Sequence, residues 1–351
     1  MKRIFAVAVV ALPTLACSQI AFVRRNQLYV LPCDQAGHPM RGRTPFRVCR
    51  LWKNFQGDSV KIQWTETGKI AIEHYVDAWN GPKRFGLSQK SYASGIWLVE
   101  AKPNSKPIWV TSGFMASFGP DGKTLTYCTD PLKGDLWALD LPKATKRLLA
   151  PHATESAWSV RRDILAFVRM TKTDSLQQAL EVRTYPDWRL FKALQPAVNP
   201  CELSLSPDGS MLAVHYHLSR PLTGHSVLNL QTTQSVELNC PSGISPPTID
   251  DWSPDSKKIL ASWRIVDPNN DGSWIREYVG LNFIRTGKFE RIGLGHDARF
   301  SQNGQSAFWL SDHKTGCQWK LGDLVWSPIA KVHPKIIVKG VSQFCVRRRS
   351  I

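Results

Sequence analysis

Several familiar signals are missing from this chain of 351 residues. Past its N-terminus, no segment stays apolar for the roughly 20 residues that a membrane-spanning helix needs. None of the eight cysteines stands in a Cys-x-x-Cys pair, which argues against zinc ribbons and dithiol redox sites. There is no Gly-x-Ser-x-Gly elbow, so an α/β-hydrolase is excluded. Acidic residues are scarce, 28 against 45 Lys and Arg, for a formal charge of +17. With 42% hydrophobic and 21% charged residues, the chain also lacks the bias of disordered or fibrous proteins. The bases are spread over the whole length and not clustered with aromatics, so a nucleic-acid groove is not expected.

The N-terminus reads as an export signal over residues 1–18. Lys2 and Arg3 precede the apolar run Ile4–Leu12, then Pro13 and small residues. Ala16-Cys17-Ser18 fits release before Gln19, leaving 19–351 as the mature domain; Thr14-Leu15-Ala16-Cys17 also resembles a lipobox, which would make Cys17 a lipidated N-terminus. The expected location is therefore the periplasm or the cell exterior, with the membrane reached only through such a lipid. In an oxidising compartment cysteines pair. The expected bridge is Cys33–Cys49, with Cys317–Cys345 as a second and Cys128 as a buried free thiol.

The strongest signal is a repeat. Phe118-Gly119-Pro120-Asp121-Gly122 returns as Leu205-Ser206-Pro207-Asp208-Gly209 and as Trp252-Ser253-Pro254-Asp255-Ser256, with weaker copies at Trp64, Trp158 and Phe300. The bulky anchors are spaced by 54, 40, 47, 47 and 48 residues. Seven and nine residues beyond them come apolar pairs such as Leu125/Tyr127, Leu165/Phe167, Leu212/Val214, Ile259/Ala261 and Ala307/Trp309. That is the period-two pattern of a half-buried strand, and Pro-Asp-Gly is turn chemistry. Third strands follow at Ile96–Val99, Leu136–Leu139, Val227–Leu230 and Tyr278–Leu281, and a fourth at Ile108–Val110. A four-stranded meander cannot bury both faces alone, whereas a closed ring of them can. The expectation is an all-β, single-domain β-propeller. Seven blades are expected, with six plus an appendage as the alternative. The N-terminal strands Ile20–Val23, Gln27–Leu31 and Phe46–Leu51 would be completed by the C-terminal stretch Ile336–Val346.

The repeat resembles that of the TolB-like, WD-like propeller family over about residues 20–333. The resemblance implies fold more than activity, because one propeller scaffold serves many functions. It implies an exported, monomeric binding module for an envelope protein or polysaccharide. The alternative is a metal-dependent lyase acting on an acidic sugar, since propeller lyases use His clusters. Here His74, His215 and His217 are the candidate ligands, His215 and His217 sharing one strand face. A calcium loop is the other metal possibility: Asp267, Asn269 and Asp271 match the first half of an EF-hand. Otherwise no cofactor is expected. Three enlarged hairpins, after His74, His215 and Val266, would offer a binding surface with Tyr75, Trp79, Lys83, Arg84, Phe85, Tyr92 and Arg220.

Overall fold

A computed structural model describes residues 18–51, 60–76, 93–130, 134–170, 178–194, 199–217, 223–238, 248–266, 274–311 and 322–347. Its strands, β1 to β28 in chain order, form seven four-stranded antiparallel sheets and no helix among the described residues. Six blades take four consecutive strands each. Their innermost strands are β4 (Val60–Trp64), β8 (Phe114–Phe118), β12 (Ala153–Trp158), β16 (Asn199–Leu205), β20 (Thr248–Trp252) and β24 (His296–Phe300). Blade 1 closes the ring: β28 (Gln343–Val346) is its innermost strand, followed by β1 (Ser18–Arg24), β2 (Gln27–Cys33) and β3 (Phe46–Arg50). The C-terminal stretch read as one closing strand is in fact two. Lys335–Val341 is β27, the outer strand of blade 7, and only β28 pairs with β1, from Ile20↔Val346 to Val23↔Gln343.

Every anchor ends an inner strand, and the apolar pairs beyond it lie in the second strand. Leu125, Leu165, Phe167, Leu212, Ile259, Ala261 and Ala307 are all fully buried. Both faces of a blade are covered by its neighbours. One apolar cluster joins Val23, Leu28 and Val48 of blade 1 to Trp64, Ile70 and Ile72 of blade 2, while another joins Ile20 and Phe22 to Phe308 and Trp326 of blade 7.

Inner strands begin on the face that carries the blade-to-blade links, here the link face, and end on the opposite, turn face. The repeated turn has a physical reason there. In blade 5, Ser206 Oγ donates to Asp208 Oδ1 (2.6 Å) and accepts from Met211 N (3.0 Å), while Asp208 Oδ1 accepts from Ser210 N (3.0 Å). Ser253/Asp255 and Ser301/Asn303 repeat the arrangement in blades 6 and 7. Burial alone would raise the Asp208 and Asp255 carboxyls, but these hydrogen bonds outweigh it and hold both below their usual range.

The turns also touch from blade to blade. Ser159 Oγ donates to Pro207 O (2.8 Å), Asp208 N donates to Ser256 Oγ (3.1 Å), Tyr185 Oη donates to Asp121 Oδ2 (2.7 Å), and Asn303 N reaches Gln35 O (3.4 Å). A Cβ on Gly122 would meet Thr67 N at 2.9 Å, one on Gly304 would meet Pro254 Cδ at 2.9 Å, and one on Gly68 would meet Arg347 Nη2 at 2.4 Å. Every one of the seven junctions thus has a contact on the turn face.

The expected Cys33–Cys49 disulfide is not formed, and the sheet register says why. Cys49 lies opposite Leu28, five residues before Cys33 along β2, roughly 17 Å away at the rise of a strand. The two also face opposite sides of the blade: Cys33 packs toward blade 7 and Cys49 toward blade 2. Cys128 is a buried free thiol as read, and Cys345 is buried and free as well, while Cys17 and Cys317 lie outside the described residues. Burial pushes the Cys49 thiol to about 11 and those of Cys128 and Cys345 to about 12.

Two outcomes follow. Under native conditions a thiol-alkylating reagent should leave Cys33, Cys49, Cys128 and Cys345 unmodified, as read by peptide mass spectrometry. Modification of Cys33 before unfolding would contradict its burial. Gly209 has φ +67° and a Cβ there would lie 2.8 Å from Ile164 Cδ1 of the preceding blade. Gly209→Ala should cost about 1 kcal/mol or more, measured by denaturant titration, because it adds backbone strain to a tight contact.

Candidate functional site in the central channel

The inner strands of blades 3 to 7 do not run straight. Each has a register shift before its anchor: Phe114/Ser117, Thr154/Ser156, Pro200/Glu202, Ile249/Asp251 and His296/Arg299. A β-bulge inserts a residue and re-aims side chains. Here Met115, Glu155, Glu202, Asp250 and Asp297 line the channel at the ring's centre, together with Lys61 from β4 and Arg299. They enclose a cavity of about 360 Å³ on the link-face side. It opens at Lys61, Asp250, Asp297 and Arg299 onto a second cavity of about 530 Å³, walled on the turn-face side by the anchors Trp64, Phe118, Trp158 and Leu205.

Buried partners hold this lining in place. Glu73, on β5 (Lys69–Val76) of blade 2, accepts from Met115 N (2.8 Å) and Ala116 N (3.0 Å), clamping the bulge of the next blade. Asp251 does the same for Phe300 N at 2.8 Å. Arg299 Nη1 donates to Asp250 O and Ala298 O, both at 2.7 Å, and Ser262 Oγ donates to Asp250 Oδ2. His296 Nδ1 lies 3.0 Å from Asp297 Oδ2.

The close packing of charge shifts protonation. Burial, helped by Glu202 and Glu73 and opposed by Lys61, raises Glu155 to about 7. Burial also raises Asp250 to about 7, with Asp297 adding to it and Arg299 and the Ser262 hydrogen bond opposing. Burial would lower His296, but the Asp297 hydrogen bond and the nearby Glu277 and Asp250 outweigh it, taking it to about 9. Burial likewise works against the Arg299 charge, and Asp251, Asp250 and Asp297 more than restore it.

The expected histidine trio is split. His74 lies in blade 2, 6.1 Å from the Trp97 ring, and burial lowers its basicity. His215 lies in blade 5, so two blades stand between them. The backbone of His217 is two residues further along β17 (Met211–His217). The close neighbour of His215 is instead His225, on β18 (Thr223–Asn229), with Nδ1 and Nε2 2.6 Å apart and ring centroids 4.0 Å apart. At that separation one ring donates and the other accepts. Glu202 pairs in register with His215 and His215 with His225, which sets the three in one row across the blade. Among the described residues no group of three His, Cys, Asp or Glu is positioned to hold a metal. Trp79, Lys83, Arg84, Phe85, Tyr92, Arg220, Asp267, Asn269 and Asp271 lie outside the described residues; Tyr75 is in β5, but only its backbone is described.

The channel residues escaped the motif reading, yet a signal was present. Lys61, Met115, Glu155, Glu202 and Asp297 each stand three residues before an anchor. Aligning the repeats on their anchors puts charge at a position that alternation alone would leave unremarked.

Stability should fall with rising pH across this site. Glu155 and Asp250 bind protons more tightly in the folded chain, so their contribution is lost between about pH 4 and about pH 7. The His296 contribution is full below its ordinary value of 6.5 and is lost as the pH rises through about 9. Glu155→Gln should therefore raise the melting temperature at pH 8 and change it little at pH 5; an equal shift at both would rule out the raised carboxyl.

No family profile matches the chain, and no curated protein matches it in sequence. Solved structures do. TolB from Acinetobacter baumannii superposes with a TM-score of 0.52 at 15% identity, over 82% of this chain and 68% of that one. An oligogalacturonate lyase in complex with manganese gives 0.54 at 12% identity, over 79% and 75%. The β-propeller domain of the Trilobed protease from Pyrococcus furiosus gives 0.52 at 11% identity, over 81% and 86%. At these identities the likeness is one of fold alone: the chain is a closed seven-bladed β-propeller, similar in fold to TolB and to these other propellers.

Proposed function

We propose that this protein is an exported, non-catalytic binding module of the cell envelope whose ligand enters the central channel. The observation that carries this reading is the set of bulges that turn Glu155, Glu202, Asp250 and Asp297 into one cavity beside Lys61 and Arg299. A ring that needed only to fold would gain nothing from gathering charge at its centre, where withdrawing each charged group from water costs free energy. The same lining suits a ligand with polar and charged groups, such as a protein segment or an oligosaccharide. The basic, apolar and small-residue order of residues 1–18 supports export, and the fold shared with TolB supports an envelope setting.

The test is capture of envelope proteins and polysaccharides by the immobilised protein, compared with a Lys61→Ala/Glu202→Ala variant. Both side chains are exposed in the channel, so the variant should melt like the parent. It should lose its specific partner by about tenfold or more in affinity, the scale of one or two lost charged contacts. Equal capture by both proteins would move the site out of the channel.

The Glu202–His215–His225 row, which is not positioned to hold a metal while the two rings bond each other, supports a second reading only if a metal draws the rings apart: a metal-dependent lyase acting on an acidic oligosaccharide. It expects stoichiometric transition metal in the purified protein, lost on His215→Ala, and ultraviolet-absorbing unsaturated products from oligogalacturonides. Metal-free protein that melts identically in chelator and forms no such products would leave the binding module.

A further inference from the structure

The outer strands of three consecutive blades carry a pattern that neither the channel nor the fold uses. They are β7 (Ile108–Ser112), β11 (Thr145–Ala150) and β15 (Leu190–Leu194) of blades 2, 3 and 4. Each leaves the turn face, so their first residues share one margin of the ring. Blade 2 presents Ile108 and Trp109 there, 68% and 53% exposed, and blade 4 presents Leu190 and Phe191, 59% and 41% exposed. Between them blade 3 presents the exposed Lys146 and Arg147. The sequence of pairs around the margin is apolar, basic, apolar.

The exposed apolar side chains leave much of their surface in water, while Lys146 Nζ also donates to Thr111 Oγ1 of blade 2 at 3.2 Å. Burying the apolar groups would stabilise the ring, as it does for Ile292 at 5% exposure in blade 6; single exposed apolar groups also stand on the outer strands of blades 6 and 7, Leu294 and Ile336, but not as adjacent pairs. More positive charge surrounds them: Lys106 is exposed on the turn before β7, and Arg162 lies over the Phe191 ring at 5.1 Å. Lys143 and Arg189 are paired with Asp140 and Asp187.

We propose that this margin docks on an anionic phospholipid bilayer, with the two apolar pairs entering the headgroup region and Lys146 and Arg147 meeting lipid phosphates. Aromatic and aliphatic groups flanked by Lys and Arg are what an anionic membrane interface accepts. A protein partner would favour a contiguous dry centre with charge at its rim. Here the basic pair lies between the two apolar pairs, with Leu148 exposed beside it in blade 3, and a deformable bilayer accommodates apolar and basic groups interleaved in this way. This gives the protein a route to the membrane that needs no lipid on Cys17, and it leaves the link face open. The inference rests neither on export nor on the channel.

The test is flotation of the purified protein with vesicles of phosphatidylglycerol and phosphatidylcholine, against vesicles of phosphatidylcholine alone. Binding is expected only to the anionic vesicles, weakening between about 0.05 M and about 0.3 M NaCl as the charges are screened. Ile108→Ser/Trp109→Ser and, separately, Leu190→Ser/Phe191→Ser should each lower vesicle affinity about tenfold or more while keeping the parent melting temperature, because the apolar contribution scales with buried area. The two variants sit on different blades, so misfolding of one leaves the other as a test. No binding to anionic vesicles would overturn the proposal. So would undiminished binding by folded variants, which would assign the attraction to net charge alone. Loss of a dimer in the variants with unchanged vesicle binding would assign the margin to self-association.

Discussion

Ring closure is the constraint on which the rest depends. Each blade is apolar on both faces, so none is stable until a neighbour covers each side, and the first and last sheets of an open stack would stay wet. The chain meets this with four residues: Gln343–Val346 pair with Ile20–Val23, binding the two ends of the sequence into one sheet. Arg347 reinforces the joint, donating to Gln19 Oε1 at 2.7 Å and lying 5.4 Å from the Trp64 ring of the adjacent blade. The turn-face contacts extend the same logic around the circle. They explain why Ser-Pro-Asp-Gly recurs. Where Ser256 replaces the glycine at φ +60°, its hydroxyl repays the strain by accepting Asp208 N from the preceding turn.

Once the ring is closed, its centre becomes the place where residues are least needed for packing. Anchors and second strands fill the spaces between blades, whereas the residues three before most anchors line the channel. Blades fill that position differently, with Lys61, Met115, Glu155, Glu202 and Asp297. The charges there are held by groups from adjacent blades, Glu73 on the Met115 bulge and Asp251 on Phe300 N, so the geometry of the site is a property of blade packing and not of any single sheet. Proton affinities at Glu155, Asp250 and His296 follow from that crowding.

The molecule therefore offers two chemically distinct surfaces on one scaffold: a charged channel, and a basic and apolar margin at the turn face of blades 2 to 4. The channel lies at the centre of the ring and the margin on its outer edge. A fold shared by a TolB and by an oligogalacturonate lyase in complex with manganese is compatible with binding and with chemistry, and the decision lies in side chains such as His215 and Glu202.

Much of the architecture was legible in the sequence because it rests on local periodicity. Anchors, turns and alternating strands announce themselves within about fifteen residues, and counting them leads to seven blades. The C-terminal stretch was misdivided at Ser342 because nothing local distinguishes an outer strand from a closing one. The Cys33–Cys49 pairing failed for a related reason: loop length says how far apart two cysteines are along the chain, but the side of a sheet that each faces is set by register and bulge, and here they face opposite neighbours. His225 beside His215, the carboxylates in the channel and the apolar-basic-apolar margin were likewise decided by the tertiary structure. Each brings together residues from different strands or blades, whose distance is fixed by the closed ring. The sequence by itself determined the repeating sheet and its turns, which depend on neighbours a few residues away; the ring decided which side chains meet.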